Sequence, residues 1–218
     1  MIRELVIAAH PAETAHLPES ADVVLTGIGM PRAAVVTTRA ILERAPSAEQ
    51  RQGLVVVNLG SCGALRDGAH GLFRPSTVLN RDVNVELMRT MGTVPDDTIA
   101  LSTLGQVGDG SVLATGDSFV ADEHQRELLG RRADLVDMEG FAVAAACREL
   151  GVALRMLKHV SDDAAAQALA WRERVDLSAR ELAGWYARST GTLLATATAT
   201  ATATASAAPA ASATGEAP

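Results

Sequence analysis

Carboxylates at a few positions are the side chains of this sequence best suited to acid–base chemistry. Glu13 stands alone, and two close pairs follow much later: Asp137 with Glu139, and Asp162 with Asp163. A carboxylic acid can protonate a leaving group while a second, ionised carboxylate activates water. Each pair also has a simpler interpretation, because acidic residues near a helix N-terminus cap it or complement its dipole. The carboxylates alone leave both interpretations open.

Two glycine-rich segments have the composition of ligand-binding turns. Thr26-Gly27-Ile28-Gly29 is half of a dinucleotide-binding fingerprint, but Arg32 occupies the third glycine position. It predicts a tight strand-to-helix turn whose backbone amides, including that of Gly29, face a ligand. Gly60-Ser61-Cys62-Gly63 lacks the spacing of a nucleophile elbow. Ser61 is therefore interpreted as a turn serine or as a hydroxyl that holds a ligand or water.

The histidines and cysteines do not have the spacing of metal ligands. The five histidines form no H-x-H, H-x-x-x-H or H-E-x-x-H pattern, and the two cysteines, Cys62 and Cys147, are far apart. The sequence therefore predicts neither a metal site nor a cofactor.

Short apolar runs alternate with amphipathic segments, and together they must position these groups. The predicted strands are 5–9, 23–26, 54–57, 76–79, 112–114 and 153–160, and the predicted helices are 33–42, 141–150 and 164–186. Wholly apolar strands between helices are typical of an α/β fold whose parallel or mixed sheet is covered on both faces. Ligands in such folds bind beyond the carboxyl ends of the strands. Glu13, Gly29, Ser61 and Asp162 all follow predicted strands, which indicates a site there.

Composition excludes several classes of protein. The chain has 218 residues and a net charge of −7, and no basic run that would bind nucleic acid or an anionic membrane. Two cysteines rule out a secreted disulfide framework. The short apolar stretch at the start is not typical of a signal peptide, so we expect a cytoplasmic protein. Residues 188–218 are mostly Ala, Thr, Ser, Pro and Gly, and we expect this tail to be disordered.

Six motifs in one order are more specific than any of them alone. After Glu13 come Thr26-Gly27-Ile28-Gly29, Asn58-Leu59-Gly60-Ser61-Cys62-Gly63, Thr115-Gly116-Asp117-Ser118-Phe119-Val120, Val136-Asp137-Met138-Glu139-Gly140 and Val160-Ser161-Asp162-Asp163-Ala164. This succession resembles the nucleoside phosphorylase/nucleosidase superfamily, and most closely its 5′-methylthioadenosine/S-adenosylhomocysteine nucleosidases. The resemblance covers a catalytic domain over residues 1–187.

The resemblance implies a fold and an assembly. The fold would be a three-layer α/β sandwich with a central mixed, barrel-like sheet, and the protein would be a homodimer without a cofactor. It would cleave the N-glycosidic bond of an adenine nucleoside, a small-molecule substrate.

The resemblance also implies roles for individual residues. Asp162 matches the acid that protonates N7 of the purine, Glu13 the base for the attacking water, and Ser61 a hydroxyl that helps to hold that water. The positions that match substrate-binding residues are Phe119 and Val120 at the base, and Met138, Glu139 and the neighbouring Asp137 at the ribose. We also expect Gly29 and Lys158 to bind substrate.

The sequence departs from the family pattern at several positions. Lys158 replaces an arginine four residues before the acid, which keeps the charge but loses the planar fork. Ala165 stands where the family often has an acidic residue, and His10-Pro11-Ala12 replaces an acidic run before the base.

Alternatives to adenine nucleoside hydrolysis stay open. Asn58 stands where related phosphorylases have a phosphate-binding arginine, and residues 10–25 contain no arginine. The sequence therefore favours hydrolysis over phosphorolysis. A purine nucleoside phosphorylase, a futalosine or adenosylhopane-type nucleosidase, and a catalytically silent nucleoside-binding protein are the alternatives.

Overall fold

The structure of the protein is a computed structural model that describes residues 2–94, 96–164 and 174–189. Its strands are β1 (Arg3–Ala8), β2 (Val23–Leu25), β3 (Leu54–Ala64), β4 (Leu72–Phe73), β5 (Thr77–Asn80), β6 (Thr98–Ala100), β7 (Val112–Thr115), β8 (Leu135–Asp137) and β9 (Ala153–Asp162). Its α-helices are α1 (Met30–Arg44), α2 (Ala48–Gln52), α3 (Val85–Thr90), α4 (Glu123–Gly130), α5 (Gly140–Leu150) and α6, described over 174–189. Two short 3₁₀ helices cover Pro11–Thr14 and Leu101–Leu104.

The described strands form one mixed sheet organised around β3. Their order is β2-β1-β3-β8-β7-β5-β6, and β9 pairs with both β3 and β4. The first half of β3 lies parallel to β1, most of its length lies parallel to β9, and its last residues lie antiparallel to β8. β3 therefore has β1 and β9 on its two edges and β8 at its end, which makes it the central strand of the sheet. The predicted central mixed sheet is confirmed.

Helices cover both faces of this sheet. Leu5 and Ile7 of β1 pack with α1 and α5 in the largest core cluster, whereas Val6 packs with Leu182 and Tyr186 of α6. Alternate residues of a strand point to opposite faces, so a strand covered on both sides must be apolar throughout. This arrangement explains the continuous apolar runs in the sequence and confirms the predicted three-layer α/β fold.

Two predicted boundaries near the site were wrong. The strand predicted over 54–57 continues to Ala64, so Gly60–Gly63 lies inside β3 and Ser61 is not a turn serine. Pairing with β9 sustains the strand, with a register shift between Cys62 and Gly63. The strand predicted over 153–160 likewise continues to Asp162. In both strands, small and polar residues suggest a turn but in fact lie in β structure.

The last predicted helix is only partly tested. Ala164 has a left-handed φ of 52° and lies in a bend, so the helix does not begin there. Residues 165–173 and residues 190–218 of the predicted disordered tail lie outside the described residues, whereas its first two residues, Arg188 and Ser189, end α6. Among the described helices, none combines the length and apolar character that crossing a bilayer requires.

Candidate active site

A cavity of about 230 Å³ opens at the carboxyl ends of β3, β8 and β9. The described residues that line it are Ala9, His10, Glu13, Ile28, Ser61, Cys62, Gly63, Ser118, Phe119, Val120, Val136, Asp137, Met138, Glu139, Ser161 and Asp162. Most of the residues predicted to form a site therefore meet in one place, although they are spread over some 150 positions of the sequence.

Glu13 is fixed in the cavity wall by four hydrogen bonds. It lies in the 3₁₀ helix after β1 and is 4% exposed. Its Oε2 accepts from the amides of Ala9 (3.2 Å) and His10 (3.1 Å), and its Oε1 accepts from the amide and the hydroxyl of Ser61, both at 2.8 Å. An ionised carboxylate is purely an acceptor, so four donors suit the charged form of Glu13. Such a set of donors suits a general base.

Asp162 is held at the end of β9 by its own neighbours. Its Oδ1 accepts from the amide of Ala164 at 2.9 Å, and its Oδ2 lies 2.8 Å from the hydroxyl of Ser161. A Cβ at Gly63 would lie 3.1 Å from Asp162 Oδ1 and 3.0 Å from the Cβ of Ala164, so a larger residue would push this carboxyl group out of place. Asp162 is 7% exposed and lines the cavity.

Met138 and Glu139 form the junction between β8 and α5. Glu139 is the N-cap residue of α5, and its Oε1 accepts from the amide of Gly29 at 2.8 Å. Burial raises the pKa of Glu139 to about 7, and nearby Asp137 raises it too, whereas the Gly29 amide and Lys158 oppose the shift. Gly29 has a φ of 99°, which strongly favours glycine. Gly29 was expected to contact a ligand directly, but it does not line the cavity. Its amide instead donates to Glu139, which does line the cavity.

Lys158 is buried beneath the cavity floor, with its ammonium 2.9 Å from Oδ2 of Asp137. Only 2% of either side chain is exposed, and Lys158 does not line the cavity. Asp137 also accepts from the hydroxyl of Thr115 at 2.6 Å and from the amide of Gly140 at 2.8 Å. The structure therefore places Lys158 behind the site.

Ser118, Phe119 and Val120 form the opposite wall, on the loop after β7. Val120 is buried, whereas Phe119 is 52% exposed at the cavity mouth. Asp117, on the same loop, accepts from the amide of Met30 at 2.6 Å, which ties the loop to the start of α1.

Arg81 is a residue of this site that sequence reasoning missed. Its side chain is 7% exposed, and it donates to the Ser118 hydroxyl (3.0 Å), to the Gly116 carbonyl (3.3 Å) and to the Ser118 carbonyl. Arg81 directly follows β5, a predicted strand, and a charged residue just after a strand was the only signal that could have identified it. It braces the wall that carries Phe119.

Other polar groups near the cavity have structural partners. Arg32 donates through Nε to the Thr26 carbonyl at 3.0 Å, and its guanidinium covers Gly27. Cys62 is a free, buried cysteine, and burial raises the pKa of its thiol. In the described ranges, no group of three or more His, Cys, Asp or Glu is arranged to hold a metal ion.

Comparison with known proteins identifies the class. A family model described as "Phosphorylase superfamily" matches residues 100–188. A 5′-methylthioadenosine/S-adenosylhomocysteine nucleosidase of Halalkalibacterium halodurans is 30% identical over 172 residues, covering 69% of this chain and 71% of that protein. The chain belongs to the phosphorylase superfamily, in its family of 5′-methylthioadenosine/S-adenosylhomocysteine nucleosidases.

Solved structures share this fold. The Helicobacter pylori 5′-methylthioadenosine/S-adenosylhomocysteine nucleosidase superposes with a TM-score of 0.71 at 21% identity, covering 88% of this chain and 99% of that one. Native futalosine hydrolase of the same organism superposes with a TM-score of 0.68 at 21% identity, covering 85% and 96%. At these identities the likeness is one of fold.

Proposed function

We propose that this protein hydrolyses the N-glycosidic bond of an adenine nucleoside of the 5′-methylthioadenosine or S-adenosylhomocysteine type and releases adenine. The observation that carries the proposal is the convergence of Glu13 and Asp162 on one cavity. The carboxyl group of Glu13 accepts from four donors, whereas that of Asp162 accepts from one hydroxyl and one amide. Glycoside hydrolysis needs this asymmetry between a base and an acid.

In the proposed mechanism, Asp162 gives its proton to N7 of the purine as the C1′–N9 bond breaks. The bond's electron pair leaves with the base, and C1′ becomes oxocarbenium-like. Glu13 takes a proton from a water molecule, whose oxygen forms the new bond to C1′. The products are adenine and the free sugar, and general acid–base catalysis of this kind contributes roughly 10²–10⁴-fold.

The remaining residues would hold the substrate. The Ser61 hydroxyl donates to Glu13 and can rotate to hold the attacking water. Glu139 would accept from the ribose hydroxyls, with Met138 under the sugar. Phe119 would stack on adenine, and the Val120 backbone would contact the edge of the base.

Hydrolysis fits the electrostatics of the cavity better than phosphorolysis. None of the described residues that line it is arginine or lysine, whereas four are carboxylates: Glu13, Asp137, Glu139 and Asp162. Lys158 and Arg32 are the two cations that belong to or adjoin the sequence motifs. Lys158 pairs with Asp137 and Arg32 donates to the Thr26 carbonyl, and neither lines the cavity. Two unit charges about 4 Å apart repel by roughly 4 kcal/mol at an effective dielectric constant of 20, so a phosphate dianion would bind poorly.

A chromatographic assay for free adenine tests the proposal. With 5′-methylthioadenosine in phosphate-free buffer, we expect adenine and free 5-methylthioribose, and added phosphate should not accelerate the reaction. A rate that saturates with phosphate, with formation of sugar-1-phosphate, would make the protein a phosphorylase. Parallel incubations with S-adenosylhomocysteine and futalosine identify the preferred substrate. Binding without turnover of any nucleoside would support the silent binding protein.

We further propose that the enzyme works as a cytoplasmic homodimer. Apolar side chains are exposed on α1 and beside the cavity mouth, among them Val35, Leu42 and Ile28. A second copy of the chain could cover them and help to close the site. Analytical ultracentrifugation over a dilution series tests the assembly, and full activity of a monomer would contradict it.

Deletion of residues 191–218 should leave folding and turnover unchanged, because they contain no site residue.

A further inference from the structure

The Lys158–Asp137 ion pair lies at the base of the site and is held by several further hydrogen bonds. Asp137 accepts from Lys158, from the Gly140 amide and from the Thr115 hydroxyl. The same hydroxyl accepts from the amide of Phe141 at 2.9 Å. Asp137 is thereby fixed to the first turn of α5, the helix that begins directly after Glu139.

The ammonium of Lys158 also lies close to the proposed base. A Cβ at Gly60 would be 3.1 Å from Lys158 Nζ and 3.4 Å from Oε1 of Glu13, so both groups pack against the same glycine. Burial alone would lower the pKa of Lys158, but attraction to Asp137, Glu139 and Glu13 outweighs burial and raises it. Lys158 is therefore a buried cation shared by several carboxylates.

Glu139 lies next to this pair and is sensitive to it. Its own hydrogen-bond donor is the Gly29 amide, and the N-terminus of α5 also favours its charged form. The negative charge of Asp137 opposes ionisation of Glu139, and the positive charge of Lys158 favours it. The charged groups on the elements around Glu139 are Glu13, Arg32, Asp117, Asp137 and Lys158.

We propose that Lys158 is a positioning residue which, by pairing with Asp137 and offsetting its charge, keeps Glu139 as a carboxylate ready to accept from the sugar hydroxyls near neutral pH. The inference rests on the proposed function, because it takes Glu139 to be the group that binds the sugar. Lys158 makes no contact with substrate in this arrangement. It acts through Asp137, which fixes the start of α5, and through its charge on Glu139.

Opposite single variants and their combination test the proposal. Lys158→Met removes the cation, so the acid limb of kcat/KM against pH should move up by roughly 1 to 3 pH units, the usual effect of one close charge. Asp137→Asn removes an anion, so the limb should move down. The double variant removes one charge of each sign and should return the limb to within about half a pH unit of the wild-type position. The change should be in KM more than in kcat.

Controls separate this role from a structural one. Lys158→Arg keeps the charge and should leave the limb within about half a pH unit of the wild type. If Lys158→Met does not fold, as judged by circular dichroism, Asp137→Asn and Lys158→Arg still decide the matter. The proposal would be overturned if the acid limb stayed in place in the single variants, or if it moved in the same direction in both. An upward shift of the limb in Lys158→Arg would also overturn it. Absence of adenine release from the wild type would instead refute the proposed function.

Discussion

Replacement of Glu13 by glutamine separates its charge from its shape. The amide of glutamine keeps the size of the side chain but turns one acceptor oxygen into an NH₂ donor. On the Oε2 side, that NH₂ would face two backbone amides, those of Ala9 and His10, which cannot rotate away. The NH₂ must therefore lie on the Oε1 side, where the Ser61 hydroxyl can turn to accept from it. The Ser61 amide then loses its acceptor.

The cost follows from this count of hydrogen bonds. One buried N–H left without an acceptor destabilises a fold by about 1–3 kcal/mol. For a domain of this size each kcal/mol lowers Tm by roughly 2–4 °C, so Glu13→Gln should melt roughly 2–12 °C below the wild type. Loss of the base should reduce kcat by roughly 10²–10⁴-fold.

Two measurements on two variants are enough to test this reasoning. Thermal unfolding by circular dichroism gives the stability, and chromatography of adenine gives the turnover. Glu127→Gln, on the exposed surface of α4, is the matched control and should change neither. A Glu13→Gln protein with wild-type Tm would show that the four-donor arrangement does not hold the carboxylate. Wild-type turnover would remove Glu13 from the mechanism.

Two other substitutions test the opposite ends of the cavity. Asp162→Asn should lower kcat by roughly 10²–10⁴-fold with little change in nucleoside binding, because asparagine cannot deliver a proton to the base. Asp163→Asn should have a milder effect, and equal effects in steady-state assays would count against the assignment. Arg81→Met should raise KM by roughly tenfold, the equivalent of one lost charge-assisted hydrogen bond, with kcat nearly unchanged. The exposed Arg89→Met is its control, and an unchanged KM would show that Arg81 does not brace the Ser118–Val120 wall.

Much of the architecture could be predicted from the sequence, because the apolar pattern along the chain and the residues at the ends of helices indicate the same elements. The helix predicted over 141–150 matches α5 within one residue, and Gly151 directly after it has the left-handed conformation of a helix C-terminus, whereas the helix predicted over 33–42 extends from Met30 to Arg44. The apolar runs of β1 and β3 need two covered faces, which indicated the sheet and its helices together.

The site was less predictable, because its details depend on pairing between distant segments. Glycines inside β3 suggest a turn locally, but pairing with β9 keeps them in the strand, and the approach of Lys158 to Gly60 and of Ala164 to Gly63 explains why these positions lack side chains. No sequence pattern indicates that Lys158 bonds to Asp137, or that the Gly29 amide bonds to Glu139. Arg81 carries no motif at all. Each of these contacts joins segments that are distant in the sequence.

The central position of β3 has a consequence for synthesis of the chain. A nascent chain completes β3 at Ala64, but β9, its partner from Val55 to Gly63, begins only at Ala153. Until then β1 covers only the first half of one edge and β8 pairs only with the last residues, so much of a long apolar strand offers its unpaired groups to other chains. Ribosomal products that stop before β9 would lack both Asp162 and the strand that pairs with most of β3, and they should aggregate. Because such distant pairing is slow to form, chaperones that shield the β3 edge should raise the yield of active enzyme more than they raise its final stability.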